Sequence, residues 1–123
     1  MATIVPSIED IGRDGAVQKV FWNLLNAANN VGAAVGFAQW ADRSVQFNGV
    51  FNNCTVVWEG SNDGGTTWTT LTDPQGNGIS KTAAAIEAVT EITELVRPNV
   101  SSAGVNTSIT VAAILRRANP MRS

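Results

Sequence analysis

The stretch NTSITVAAILRR sets Ile109, Val111, Ala113 and Leu115 against Ser108, Thr110, Ala112 and Ile114. A two-residue period of this kind marks a strand with one buried face, and the β-branched residues favour the pleated form. The same period recurs in SVQFNGVF, where Val45, Phe47, Gly49 and Phe51 share a face, and in CTVVWEGS, where Cys54, Val56 and Trp58 do. The intervening NN reads as a turn, so a hairpin is expected to join those two runs. AVQKVFWNLLNAA places Val20, Trp22 and Leu24 on one face and Phe21 and Leu25 on the other. It also fits a short amphipathic helix, but its aromatic and β-branched content favours strand. Strands spaced roughly 8–12 residues apart by Gly, Asn and Asp turns predict an all-β fold, an antiparallel β-sandwich or barrel.

Two segments depart from this pattern. TAAAIEAVTEITELVRP begins Ala-rich, with Glu87, Glu91 and Glu94 at helical spacing, and ends rich in Thr, Ile and Val. It predicts one helical turn over residues 82–88, then a strand to Arg97, with Pro98 as a boundary. Residues 1–15 hold Ile4, Val5, Pro6, Ile8 and Ile11 with few turn signals and no period. They read as an extended arm laid onto a partner, or as an edge strand of the same domain. The chain of 123 residues therefore divides into an N-terminal arm (1–15), one sandwich domain (16–117) and a C-terminal tail (118–123).

Composition limits the chemistry. Eight Lys and Arg against ten Asp and Glu give a net charge of −2, which offers no electrostatic footprint for nucleic acid. No stretch approaches the ~20 apolar residues of a membrane span, and the acidic N-terminus lacks the pattern of a signal peptide. The chain has no His, so triads built on histidine are ruled out, and the single Cys54 can form no intramolecular disulfide. No metal-ligand cluster or nucleotide-binding motif occurs, so no cofactor is expected. Glu59 with Asp63, or Glu87 with Glu91, has the residue types of an acid/base pair, but solvated or hairpin-stabilising charge is the plainer reading. Charged residues make up only 15% of the chain, against about 25% in a typical domain, which suggests surface covered by partner subunits.

The eight residues SNDGGTTW match S-x-D-x-G-x-T-W, a pattern that resembles the Asp-box of sialidases. Gly64 and Gly65 permit positive φ, and Asp63 can accept bonds from the backbone of its own loop. Trp68 can pack beneath the turn. Ser61, Asp63, Gly65, Thr67 and Trp68 are thus expected to close a hairpin on itself. A propeller needs at least four blades and the sialidase mechanism needs a Tyr nucleophile, and this chain has neither the length nor any Tyr.

The run VQFNGVFNNCTVVWEGSNDGGTTWTTLTDPQGNGIS, followed by ELVRPNV and NTSITVAAILRR, resembles capsid decoration or cement proteins of tailed bacteriophages. That resemblance implies a jelly-roll-like β-sandwich and a non-enzymatic role. It implies a homo-oligomer, dimer or trimer, that sits on the major capsid protein of the virion exterior after synthesis in the host bacterial cytoplasm. The candidate partner-facing residues are Ile4, Val5, Pro6 and Ile8 of the arm, Trp40, and Arg116 and Arg117 near the tail. Arg97 is expected to form an internal or an intersubunit ion pair. The strand with GSNDGGTTW is also similar to discoidin-type sugar-binding sandwiches. The alternative role is therefore a carbohydrate-binding or receptor-binding virion component with exposed aromatic rings.

Overall fold

The computed structural model describes residues 3–117; the expected tail, 118–123, with Arg122, lies outside them. The strands are β1 (Thr3–Ile4), β2 (Ser7–Asp10), β3 (Val17–Leu25), β4 (Val31–Gly32), β5 (Asp42–Val50), β6 (Thr55–Ser61), β7 (Thr69–Thr70), β8 (Ser80–Lys81), β9 (Ala85–Ala88), β10 (Leu95–Ser101) and β11 (Ser108–Arg116). A 3-10 turn, Arg13–Gly15, precedes β3. One sheet runs β1-β4-β10-β6-β7, with β8 also on β6; the other runs β2-β3-β11-β5-β9. Among the described residues every strand pairing is antiparallel except β1 with β4. The chain is an all-β sandwich of two sheets.

Alternation dictates the core. Val45 and Phe47 of β5, Ile109, Val111, Ala113 and Leu115 of β11, and Val56 and Trp58 of β6 are all buried. Trp22 and Trp58 meet edge to face across the sandwich, ring centroids 5.6 Å apart. This geometry adds about 0.5–1.5 kcal/mol to their area burial. In β3 the phase changes: Val111 pairs with Trp22 but Ile109 pairs with Leu25, so β3 carries one extra residue in a bulge. Leu25 therefore takes the core position that unbroken alternation assigns to Leu24.

Three expectations are corrected. β5 and β6 form no hairpin, although Asn52 and Asn53 do make a tight turn at φ 48 and 67 with Cys54 N–H bonded to the Phe51 carbonyl. Both edges of β5 are taken by β11 and β9, and β6 lies between β10 and the β7 and β8 strands, so the turn carries the chain between sheets. The helical turn over 82–88 is absent. Residues 85–88 instead zip onto β5 as strand β9, because one isolated helical turn costs more to nucleate than an open sheet edge. Pro98 sits inside β10 rather than at its boundary. Val96 and Val100 send their N–H groups to Val35 and Asn30, while Pro98, between them, has no donor to offer, and Gly32 leaves room for its ring.

The arm is extended, and it lies along its own domain. Thr3 and Ile4 pair with Val31 and Gly32, and the Ile4 carbonyl accepts the Ala33 N–H. Ser7 to Asp10 then pair with β3 in the other sheet. The segment thus staples the rims of both sheets.

Candidate functional site

The hairpin between β6 and β7 is built by the residues of SNDGGTTW. Ser61 is buried at the end of β6, and its hydroxyl donates to Asp63 Oδ1 at 2.7 Å while accepting the Gly65 N–H at 3.0 Å. The same Oδ1 accepts the N–H groups of Thr66 at 3.1 Å and Thr67 at 2.9 Å. Gly64 and Gly65, at φ 74 and 93, occupy the left-handed region that lets the loop wrap around the carboxylate. The Thr67 N–H bond, followed by the Ser61 hydroxyl, holds the Asp63 carboxyl down to about 2, so it is ionised at neutral pH. Trp68 donates its indole N–H to the Gly65 carbonyl at 3.0 Å, and its ring lies 3.5 Å from where a Gly65 Cβ would stand.

Two ties to distant residues complete the clasp. Glu94 accepts the Gly64 N–H at 2.9 Å, and its own N–H donates to Asn62 Oδ1 at 2.8 Å. Arg97 stacks 4.0 Å over the Trp68 ring and pairs through Nε with Glu59 Oε1 at 2.7 Å, so the Arg97 pair is internal. An ion pair of Arg97 was expected from the sequence, but its partner Glu59, its stacking on Trp68 and the Glu94 tie were not. Glu59 and Arg97 are opposite in the β6 to β10 register, which sequence alone does not reveal.

A cleft of about 400 Å³ adjoins the hairpin, lined by Ser61, Asn62, Asp63, the threonines of β7, Leu71, Glu91 and Thr93. Of its two carboxylates, Asp63 is engaged through Oδ1, and both Glu91 oxygens accept from Thr72, one from the N–H and one from the hydroxyl. Glu59 is engaged with Arg97 and Asn99, and Glu87 pairs with Lys81 at 2.6 Å. Fixed donors on Glu91 and on Asp63 Oδ1 make these two carboxylates structural anchors. In this arrangement Asp63 holds the loop rigid through Oδ1.

The other candidate residues lie apart from this hairpin. Ile4 packs on the core and Pro6 is half-buried, whereas Val5 and Ile8 are exposed. Trp40 is half-buried against Phe37, its indole N–H donating to the Gly15 carbonyl at 2.8 Å. Arg117 reaches back to the Asp14 carbonyl, and Arg116 pairs with Asp42 on the surface. Sequence reading missed Arg43, whose buried guanidinium ties the Phe37 and Trp40 carbonyls. Burial lowers its pKa. Among the described residues no group of three His, Cys, Asp or Glu is placed to hold a metal ion, and no helix is long and apolar enough to cross a membrane.

The chain matches no family model, no curated protein and no solved structure.

Proposed function

We propose that this chain is a non-enzymatic capsid decoration protein of a tailed bacteriophage, binding the major capsid protein on the virion exterior and stabilising the head. The observation that carries the reading is how the hairpin spends its functional groups. Its hydroxyl, carboxylate and indole N–H all close the turn itself, while large apolar side chains stand exposed elsewhere on the sandwich. That combination suits a rigid body that binds through its surface. Support also comes from connectivity, since β3 to β6 and β9 to β11 alternate between sheets, an order compatible with a jelly roll. The sugar-binding alternative relies on an aromatic face open to a sugar ring, and Trp40 is instead packed on Phe37 with its N–H committed.

The test is to add the purified chain to capsids that lack it. Co-sedimentation with the shells, saturating at a fixed number of copies per capsomer and raising the temperature at which the shell breaks, supports the proposal. Failure to bind capsids, together with glycan-array hits lost in Trp40→Ala, refutes it in favour of the sugar-binding reading.

A further inference from the structure

Asparagine followed by glycine occurs twice in the chain, as Asn48-Gly49 in β5 and as Asn77-Gly78 in the loop between β7 and β8. In such a pair the backbone nitrogen of the glycine can attack the asparagine Cγ. The reaction needs the two atoms about 3–3.5 Å apart and a nitrogen free to lose its proton. A β-strand ordinarily denies both conditions, because its N–H groups are donated to the neighbouring strand. At Asn48 the fold supplies them.

The Asn48 carbonyl faces β11, where it accepts the Thr110 hydroxyl at 3.4 Å. Across a trans peptide the Gly49 N–H then points to the other edge of β5. Strand β9 covers that edge only from Ser44 to Phe47, so among the described residues no strand meets Gly49 there. Its partner is the side chain beside it, since the Gly49 N–H donates to Asn48 Oδ1 at 2.9 Å. Cγ lies one carbonyl bond, about 1.2 Å, behind that oxygen, so the contact holds the carbon under attack close to the nitrogen. Both residues are exposed, which admits water and hydroxide. Glycine is also obligatory here: Gly49 sits at φ 121, and a Cβ on it would run into the Ser108 carbonyl. The fold thus retains the residue whose nitrogen is least shielded. Asn77 differs. Its N–H and carbonyl are tied to Asp73, at 3.0 and 2.9 Å, and among the described residues its side chain makes no bond to the Gly78 N–H.

We infer that Asn48 is a self-modification site, at which the folded chain closes a succinimide with Gly49 and opens it to a carboxylate. The Gly49 nitrogen gives its proton to hydroxide and bonds to Asn48 Cγ. The side-chain nitrogen then takes a proton from water and leaves as ammonia, which restores the hydroxide. Water adds to one of the two imide carbonyls and its bond to nitrogen breaks. The product is aspartate or, with the main chain rerouted through Cγ, isoaspartate. One added carboxylate lowers the formal charge of −2 by one. The isoaspartyl form also adds a methylene to β5 between its pairings with Thr110 and Ile109. This inference concerns the isolated chain and stands whether or not the capsid reading holds.

Mass spectrometry on the purified chain, held folded at mildly alkaline pH for several days, tests it. Trypsin releases residues 44–81 as one peptide that contains both pairs, and its fragments locate the gain of one mass unit. In the folded chain the gain is expected at Asn48 roughly tenfold faster than at Asn77, and faster as the pH rises. In concentrated urea the two rates converge, because the contact between Oδ1 and the Gly49 N–H is gone. Asn48→Gln, whose longer side chain must close a larger ring, removes the gain at that position while leaving the thermal melt in place. A folded chain in which Asn77 converts as fast as Asn48 overturns the inference. So does an Asn48 that converts faster in urea than in the folded chain, because that result makes the strand a protection.

Discussion

Gly32→Ala tests whether close packing at the arm, rather than chain propensity, lets a proline occupy the middle of β10. A Cβ built on Gly32 stands 2.6 Å from Pro98 Cγ and 2.6 Å from Trp22 Cδ1. Neither ring can swing aside. The proline ring is fixed to its backbone, and Trp22 is fully buried with its indole N–H donated to the Ala33 carbonyl at 3.0 Å. Relief therefore requires the two sheets' contents to part by close to an ångström, and overpacking of this kind costs about 1–3 kcal/mol. The upper end applies to two rigid neighbours. Against this, Gly→Ala narrows the unfolded ensemble and returns about 0.4–1 kcal/mol, leaving a net loss of about 2 kcal/mol. For a domain of this size that lowers Tm by about 8 °C. Gly36→Ala is the matched control, since its nearest neighbour is the Glu94 carbonyl at 3.8 Å, and it should melt at or slightly above the wild type. Paired thermal melts and urea titrations supply the comparison. A Gly32→Ala chain as stable as Gly36→Ala would refute the packing argument.

Asp63→Ala should lower the melting temperature at neutral pH while leaving the proposed capsid binding unchanged. Because the folded carboxyl is depressed from 3.8 to about 2, its stabilisation is present above about pH 4. That contribution is lost as pH falls through about 2, so the gap between wild type and variant should close across that window and nowhere else. Glu59→Gln keeps the shape of the side chain but removes the charge that faces Arg97 at 2.7 Å. With Glu59 largely buried, a loss of about 1–2 kcal/mol in urea unfolding is expected, and an unchanged midpoint would show the pair to be dispensable.

Alternation made the buried faces of β5, β6 and β11 legible, because a half-buried strand must repeat every two residues wherever it pairs. It did not say which sheet each strand joins. The Asn52 and Asn53 turn has the chemistry of a hairpin, yet β5 and β6 find their neighbours elsewhere in the chain. Residues 82–88 show the same limit, since four alanines favour helix locally and the open edge of β5 overrides them. Room for the Pro98 ring depends on Gly32, 66 positions earlier in the chain, and the β3 bulge shows only in its register with β11. Within the hairpin, Ser61, Asp63, Gly65, Thr67 and Trp68 are local in sequence and so could be read from it. The clasp residues Glu94 and Arg97 come from another strand and its preceding loop, so no local pattern announces them.

The most direct test of the decoration proposal is the position of this chain in an image of the virion that contains it. Density repeating over the icosahedral shell, with the sandwich seated on the major capsid protein, is the predicted result. Density confined to the tail or neck would contradict it.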